Sequence, residues 1–221
     1  MPTKHVVKQG EHLSGIAGKY GFSDYKTIWD DPENAELKAK RRNPHVLHPG
    51  DVLSIPDRKA KTLSGATGQK HRFVLSKTQL TLRLKLQKAF GRPISNTACD
   101  LLVETEKHEL RTDGDGRLSH AISADAHGAG LLIREEAAVN GKQVTIETGI
   151  PIRIGHLDPV EETSGQIARL ANLGYYRAPL DKVDKDELLS SIEEFQCENN
   201  LPVTGICDST TQAKLKEVHG C

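Results

Sequence analysis

The sequence predicts a multidomain α+β protein with a βααβ unit, an antiparallel β-sandwich and a C-terminal three-helix bundle, in that order. Hydrophobic residues have helical spacing near the N-terminus, alternating spacing in the middle and helical spacing again near the C-terminus. With 36% hydrophobic and 27% charged residues in 221, several small cores are favoured over one large core. The predicted segments are 1–57, a basic flexible linker at 58–72, a sandwich at 73–157 and a helical domain at 158–221.

The first segment opens with a short strand at 4–9 and an amphipathic helix that ends at Gly21. A second helical region starts at Ile28 and Trp29, stops at Asn43-Pro44, and is followed by a closing strand at 52–56. We expect Trp29 to lie in the core rather than against a sugar. The apolar face of the first helix consists of Leu13, Ile16, Ala17 and Tyr20.

The middle segment shows strand patterns and hairpin turns. Leu101-Leu102-Val103 predicts a buried strand, and Asp113 to Gly116 and Asn140-Gly141 predict tight turns. Strands at short intervals without a helical pattern between them favour an antiparallel sandwich. The clearest alternation of apolar and polar residues is carried by Leu80, Leu82, Leu84 and Leu86.

The last segment predicts three short helices around one core. The first helix ends at Gly174. The second starts near Asp184, with Glu187 at the spacing of a capping box. The third has Asp208 as its N-cap, and its inward-facing residues are Leu215 and Val218.

Charge and hydropathy exclude several function classes. The 30 basic and 30 acidic residues balance, which argues against a nucleic-acid partner because such binding rests on neutralising phosphates. No apolar run approaches the ~18 residues of a membrane-spanning helix, and no signal peptide opens the sequence, so we expect cytoplasmic synthesis without membrane insertion. No C-x-x-C pair occurs, and we expect the cysteines to be reduced: Cys99, Cys197, Cys207 and Cys221.

Two separated motifs in the N-terminal segment carry a resemblance. Residues 5–17 read HVVKQGEHLSGIA, close to Y-x-V-x-x-G-D-x-L-x-x-I-A, and Asn43-Pro44 precedes HPGDVLSIP at 48–56. Residues 5–56 thus resemble a LysM domain, which implies a shallow groove for N-acetylglucosamine glycans between two loops. The implied glycan-binding residues are Gly10, Glu11, His12, Leu13, Ser14, Asn43, Pro44, His45, Val46 and Leu47. Alternatively, Leu13 and Leu47 are core residues, and His12 and His45 are merely solvated.

The C-terminal segment carries a second resemblance. IARLANLGY at 167–175, Phe195-Gln196, LPVTG at 201–205 and DSTT at 208–211 follow one another. Residues 160–218 therefore resemble a three-helix peptidoglycan-binding domain of the kind found beside cell-wall hydrolases. The resemblance implies a second glycan site, with one of the two tyrosines in the core: Tyr175, Tyr176 and Asp181.

The middle segment and the whole architecture resemble known classes as well. FGRPI at 90–94 followed by TDGDGR at 112–117 is similar to transthyretin-like or carboxypeptidase-regulatory-like sandwiches. The three segments together resemble small LysM-plus-peptidoglycan-binding proteins associated with contractile injection machines such as type VI secretion systems. This likeness implies peptidoglycan glycan strands and spike or baseplate proteins as partners.

The sequence offers no recognisable catalytic or metal-binding constellation. His108-Glu109 lacks the second histidine of H-E-x-x-H, and no G-x-S-x-G is present. Cys99 has no local signature of a cysteine peptidase, and Asp113 to Gly116 lacks the rest of a calcium loop. We therefore expect no catalytic residue, no metal and no cofactor.

These observations predict a non-catalytic peptidoglycan-binding protein, an accessory of an injection machine that works in the periplasm or cell envelope after delivery. Two alternatives remain open. The protein could be a structural adaptor that docks on a spike or baseplate and reuses wall-binding folds for protein contacts. It could also be the accessory part of a cell-wall hydrolase.

Overall fold

The structure is a computed structural model that describes residues 3–58, 64–72, 79–88, 91–140 and 142–221. It combines helices with antiparallel sheets and ends in a helical region. The predicted mixture of α and β structure is confirmed at this level. Part of the predicted linker, 59–63, and the predicted start of the sandwich, 73–78, lie outside the described residues.

The N-terminal part has the predicted order of strand, helices and strand. β1 (Thr3–Val6) pairs antiparallel with β2 (Val52–Ile55). β1 is shorter than the predicted strand at 4–9 because the chain turns, and the Glu11 N–H donates to the Lys8 carbonyl over 3.1 Å. The helical elements between the strands are α1 (Leu13–Lys19), α2 (Lys26–Trp29), a 3-10 turn (Pro32–Asn34) and α3 (Ala35–Arg41).

A buried asparagine joins these elements. The Asn34 side-chain amide donates to the carbonyls of Ile28 and Ser54 over 2.8 Å each, and its oxygen accepts from the Ser54 N–H, also at 2.8 Å. A fully bonded buried amide of this kind fixes its neighbours, because an alternative arrangement would leave its polar atoms unpaired. The helices are thereby held against β2, and Trp29 is buried in the core beneath them, as predicted.

Two antiparallel sheets form the middle of the chain. β3 (Gln79–Lys85) pairs with β6 (Arg117–Ser123) in one sheet. The other has the strand order β5-β4-β7-β8. Its strands are β4 (Ala98–Val103), β5 (Glu106–Arg111), β7 (Gly128–Val139) and β8 (Lys142–Arg153).

The two sheets share one hydrophobic core. Leu118 and Ile122 of β6 pack in the same cluster as Leu101 of β4 and Leu131 of β7. The expectation that Leu101-Leu102-Val103 is buried throughout is wrong at its centre, where Leu102 is 47% exposed. The reason is the strand period of two, which turns Leu102 to the outer face while its neighbours face the core.

The C-terminal region consists of α4 (Thr163–Leu173), α5 (Lys185–Glu198) and α6 (Ser209–His219). Asp184 accepts from the N–H groups of Asp186 and Glu187, and Asp208 accepts from the N–H of Thr211, so both predicted N-caps are confirmed. Val218, predicted to face inward, is 41% exposed, since the core contact of α6 is made one turn earlier by Leu215.

Candidate functional site

The first predicted binding loop, residues 10–14, starts with a carboxylate that is already bonded. Glu11 Oε2 accepts from the Lys8 N–H and lies 2.9 Å from His5 Nε2, while Oε1 is 3.5 Å from Lys19 Nζ. Burial alone would raise the pKa of Glu11, but the hydrogen bonds from Lys8 and His5 outweigh it, so the pKa lies below its usual value. The carboxylate therefore serves chiefly to hold the loop's shape.

His12 caps α1 with its imidazole. Nδ1 accepts from the Gly15 N–H over 3.2 Å, so the proton is placed on Nε2, and the ring also hydrogen-bonds the carbonyl of Ala124. Burial lowers the pKa of His12, and the charges of His127 and His45 lower it further. His12 is therefore a neutral, 94% buried capping group rather than the solvated residue that the sequence left open.

Five more of the predicted residues are buried in the N-terminal part. Leu13 and Leu47 belong to its hydrophobic core, which matches the alternative that the sequence left open for them. The Ser14 hydroxyl is buried and has no hydrogen-bond partner within the described residues. Gly10 is buried as well, and its φ of 84° turns the chain into the loop. The side chains with single-digit exposure are Leu13 at 0%, Ser14 at 1%, Leu47 at 5% and Val46 at 7%.

The second predicted loop, residues 43–47, keeps a solvent-facing side. Asn43 Oδ1 accepts from the His45 N–H over 2.9 Å, which closes the turn. His45 is exposed and packs edge-on against Tyr25 with ring centroids 5.1 Å apart, while Asn43 and Pro44 are half-buried. Leu13 of the first loop and Leu47 of the second pack in one hydrophobic cluster, so the fold brings the two loops together.

The middle of the chain lies directly against the first loop. An added Cβ on Gly155 would be 2.5 Å from the Gly10 carbonyl oxygen, and one on Gly10 would be 2.8 Å from His156 Nε2. An added Cβ on Gly15 would be 3.4 Å from the Ala124 carbonyl oxygen. These approaches leave no space on this side of the loop for a ligand, and no feature of the sequence pointed to them.

The predicted C-terminal site divides as the sequence suggested, with one tyrosine in the core. Tyr176 is 4% exposed, and its hydroxyl accepts from the Asp184 N–H over 3.1 Å. Tyr175 is half-buried, stacks edge-on against Phe195, and donates its hydroxyl to Glu198 Oε2 over 2.8 Å. Burial and the Glu198 carboxylate raise the pKa of Tyr175 to about 12.

Asp181, the third predicted residue, is exposed and lines a shallow cleft. The cleft lies in the connection between α4 and α5 and carries both charge signs and apolar surface. It combines a free carboxylate with ammonium groups and aliphatic edges, the mixture that sugar and peptide groups of a polymer can contact. The other lining residues are Ala178, Pro179, Lys182, Val183, Asp184 and Lys185.

Gln196 explains why three separated sequence motifs occur together. Its Oε1 accepts from the N–H groups of Thr204 and Gly205, and its Nε2 donates to the Ile206 carbonyl and the Thr211 hydroxyl. All four bonds measure 2.8–3.0 Å, and the side chain is completely buried. The motif residues at 195–196, 201–205 and 208–211 thus form one structural clamp, which fixes the loop between α5 and α6.

The comparison with protein families gives one match. Residues 168–215 match the family model PG_binding_1, described as a putative peptidoglycan binding domain. The matched segment runs from the middle of α4 to the last third of α6. It includes the tyrosine pair, the cleft and the Gln196 clamp. Searches of curated proteins and of solved structures gave no match. The C-terminal region is therefore similar to a peptidoglycan-binding domain over about a fifth of the chain.

The described residues include neither a membrane-spanning helix nor a cluster of metal-ligating side chains. No helix there is long and apolar enough to cross a membrane. No cluster of three or more histidine, cysteine, aspartate or glutamate side chains is arranged to hold a metal ion. All four cysteines are free thiols, and Cys99 is buried.

Proposed function

We propose that the protein binds peptidoglycan through its C-terminal three-helix region. The observation that carries the proposal is the family match at 168–215, which falls on a segment whose helices share one core. The cleft at 178–185 is the contact surface that we assign, with Asp181 as its free carboxylate. Tyr175, also in the predicted set, is not among the residues that line this cleft, and its hydroxyl is already bonded to Glu198.

Purified sacculi test this proposal directly. The full chain should sediment with sacculi and stay in the supernatant without them. Equal amounts in the supernatant under both conditions would refute peptidoglycan binding by this protein.

A matched pair of variants locates the contact. Asp181→Ala should weaken retention about 5–10-fold, the cost of one polar contact of about 1 kcal/mol. Glu217→Ala removes an exposed carboxylate of α6 outside the cleft and should bind as the parent chain does. Equal retention of both variants would remove the cleft from the proposal.

The binding is proposed to be non-catalytic. The family matched at 168–215 is a binding domain, and the site contains no assigned acid–base pair. Turbidity of a sacculus suspension should stay constant with the purified chain. A steady decline in turbidity would instead support the alternative that the protein is part of a cell-wall hydrolase and is itself active.

For residues 5–56 we keep the LysM assignment as a proposal, supported by the two motifs and the βααβ order. Glycan contact would then use the accessible members of the predicted set, His45, Asn43, Pro44 and Glu11, since the other six are buried. His45→Ala should lower binding to chitin oligosaccharides, whereas His71→Ala, on an exposed linker residue, should not. Identical binding by both would count against a sugar site here.

The adaptor role is a second candidate, favoured by the cover over the loop at 10–15. The chain's own residues at 124 and 155–156 already occupy one side of this loop, which leaves less of it for a glycan and so favours a role without sugar binding. Under this proposal the protein serves a contractile injection machine in the cell envelope, docked on a spike or baseplate. Stoichiometric co-purification with a spike protein would support it, and a lone chain in lysates that contain the machine would argue against it.

A further inference from the structure

The outer edge of the β7–β8 ribbon is the largest structural feature that the proposed function does not use. β8 pairs with β7 along all twelve of its residues, from Val139↔Lys142 to Gly128↔Arg153. Within the described residues no strand pairs with its other side. A strand in this position presents a row of unpaired backbone donors and acceptors.

The ribbon also projects past the rest of its sheet. β4 pairs with β7 only from Ala129 to Ile133, so no described strand forms a third strand beside the ribbon beyond Ile133↔Thr148. Among the described residues, the backbone of this part, 134–139 and 142–147, is paired only within its own ladder. Projection of this kind makes the edge reachable by another chain.

One face of β8 is apolar and exposed. Val144, Ile146 and Ile150 are 39%, 47% and 37% exposed. All three are even-numbered, so they lie on the same face of β8. Ile152 on the same face is partly buried in the core cluster. The apolar surface of the sheet thus continues outward along β8 without cover among the described residues.

Of the usual defences of an edge strand, β8 carries one proline, Pro151, and a single charge in its middle. Natural edges carry unpaired charges, prolines or bulges that prevent pairing with another strand. Glu147 is the one charged residue between Gln143 and Ile150, and Arg134 Nε donates to it over 3.0 Å. The same guanidinium also reaches Asp100 of β4 at 2.5 Å, and Lys107 pairs with Asp100 at 3.1 Å, so Glu147 is one of two carboxylates that share two cations.

A hydrogen bond at the end of the strand fixes which backbone groups point outward. The Ile154 N–H donates to the His127 carbonyl over 3.0 Å, one step beyond the pair Gly128↔Arg153. Bonded and non-bonded pairs alternate along an antiparallel ladder, so the even-numbered residues of β8 bond β7. The odd-numbered residues direct their N–H and C=O groups to the open edge. Pro151, which has no N–H, is among these, as expected for an edge strand.

We propose that β8 is a homodimer interface, which pairs antiparallel with β8 of a second copy about a twofold axis at Thr148. In this register Ile146 faces Ile150 of the second copy, Val144 faces Ile152, and Gln143 faces Arg153. Apolar residues meet apolar residues on the exposed face, and like charges do not meet. A continuous eight-stranded sheet would result from the two four-stranded sheets.

The neighbouring registers fit less well. An axis at Glu147 would set this carboxylate opposite itself, which is destabilising for like charges in directly opposed positions. An axis at Gly149 would shorten the paired segment and oppose Thr148 to Ile150. In all three registers the even-numbered pairs are non-hydrogen-bonded across the interface, where side chains approach most closely, so the side chains that oppose each other decide between them.

The register makes a sharp prediction for single cysteines. In a background with the exposed thiols removed (Cys197→Ser and Cys221→Ser), Thr148→Cys should form an intermolecular disulfide on mild oxidation. The two Cα atoms would lie about 4.5 Å apart, within the range for a disulfide. Thr145→Cys on the same strand is the control, because its own copy would be about 20 Å away. Absence of the Thr148 cross-link, or equal cross-linking by both variants, would overturn the register.

Oligomeric state provides the second test. Light scattering across a concentration series should give twice the chain mass for the parent protein and for Leu102→Lys, an exposed substitution on the outer face of β4. Ile146→Lys should give the monomer mass with an unchanged circular dichroism spectrum. A monomeric parent protein at every concentration would overturn the proposal, even if another protein were found to occupy this edge.

Discussion

At the scale of single residues, His219 makes the C-terminal region sensitive to acid. Its Nε2 accepts from the Asn172 amide over 3.0 Å, and its Nδ1 lies 3.2 Å from the Cys221 thiol sulfur. Burial, and then the nearby charge of Arg169, lower the pKa of His219 to about 4. The folded state therefore takes up this proton at a lower pH than the unfolded chain, in which histidine titrates near 6.5.

This shift sets a direction for stability against pH. The contribution of neutral His219 is complete above pH about 6.5 and is lost progressively as the pH falls toward 4. His219→Gln should reduce the difference in unfolding free energy between neutral pH and pH about 5, measured by urea denaturation. His71→Gln, in the exposed linker, should keep the full difference. Equal pH dependence of His219→Gln and the parent chain would contradict the assignment.

Two buried serines form a natural pair for a second prediction. The Ser14 hydroxyl has no partner within the described residues, whereas the Ser191 hydroxyl donates to the Glu187 and Tyr175 carbonyls. Removing an unpaired buried hydroxyl is neutral or stabilising, and removing a bonded one costs about 1 kcal/mol. We therefore expect Ser14→Ala to leave or raise the melting temperature and Ser191→Ala to lower it. A clear loss for Ser14→Ala would indicate an unassigned partner, such as a bound water.

Residue types alone gave only part of the candidate site. That one of Tyr175 and Tyr176 lies in the core was predictable, because the pair directly follows the helix that ends at Gly174. The glycan site at these residues and Asp181 stays a prediction. The buried state of His12 and Ser14 was hidden from the sequence, since both residues are polar and were assigned to a loop. The cover over His12 comes from residues more than a hundred positions away, Ala124 and Gly155.

At the scale of secondary structure, the start of α4 depends on a close crossing with the preceding segment. Gly165, in the first turn of α4, leaves no room for a side chain, because an added Cβ would overlap the Pro159 carbonyl oxygen. Arg169 on the next turn is 1% exposed and donates to the carbonyls of Asp158 and Gly165. The helix is thus held to residues 158–159 by contact and by hydrogen bonds.

Gly165→Ala should therefore destabilise the chain by about 1–3 kcal/mol, the usual cost of overpacking a tight site. The measurement is chemical denaturation of the full chain. Gly130→Ala is the control, since an added Cβ there meets nothing within 4 Å and the residue lies in a strand. If both substitutions were equally tolerated, the crossing at Pro159 would be looser than described.

Helix starts were predictable because their signals are local. Asp184 and Asp208 cap their helices through bonds to N–H groups two or three residues away. The exposure of Leu102 and Val218 could not be predicted in the same way, because an apolar residue in a short apolar run gives no sign of which neighbour will cover it. The length of the β7–β8 ribbon was also beyond the sequence, as its pattern of glutamates and alanines at 135–138 resembles a helix as much as a strand.

At the scale of the whole molecule, the contact of Gly155 with Gly10 joins the N-terminal part to the middle of the chain. Gly155 has a φ of 79°, which disfavours any residue with a Cβ, and its neighbour across the contact is a backbone carbonyl. Gly155→Val should separate the two parts. The pKa of His12 should then rise toward its ordinary value as burial is lost, which NMR titration can follow.

Gly114→Val provides the comparison for this experiment, because an added Cβ at that turn meets nothing within 4 Å. The titration of His12 should be unchanged in this variant. A normal His12 titration in Gly155→Val as well would mean that the contact is dispensable. Faster hydrogen exchange at the Gly15 and Ile16 amides in Gly155→Val would independently confirm that the first turn of α1 has been released.

The contact between Gly10 and Gly155 has a practical consequence for the design of truncated variants. An excised fragment that stops at residue 57 would present to solvent a patch of backbone and an imidazole that the intact chain keeps dry. Sugar affinity measured on such a fragment would describe a surface that is exposed only because the chain was truncated. Glycan binding by the first fifty residues should therefore be measured on the full chain.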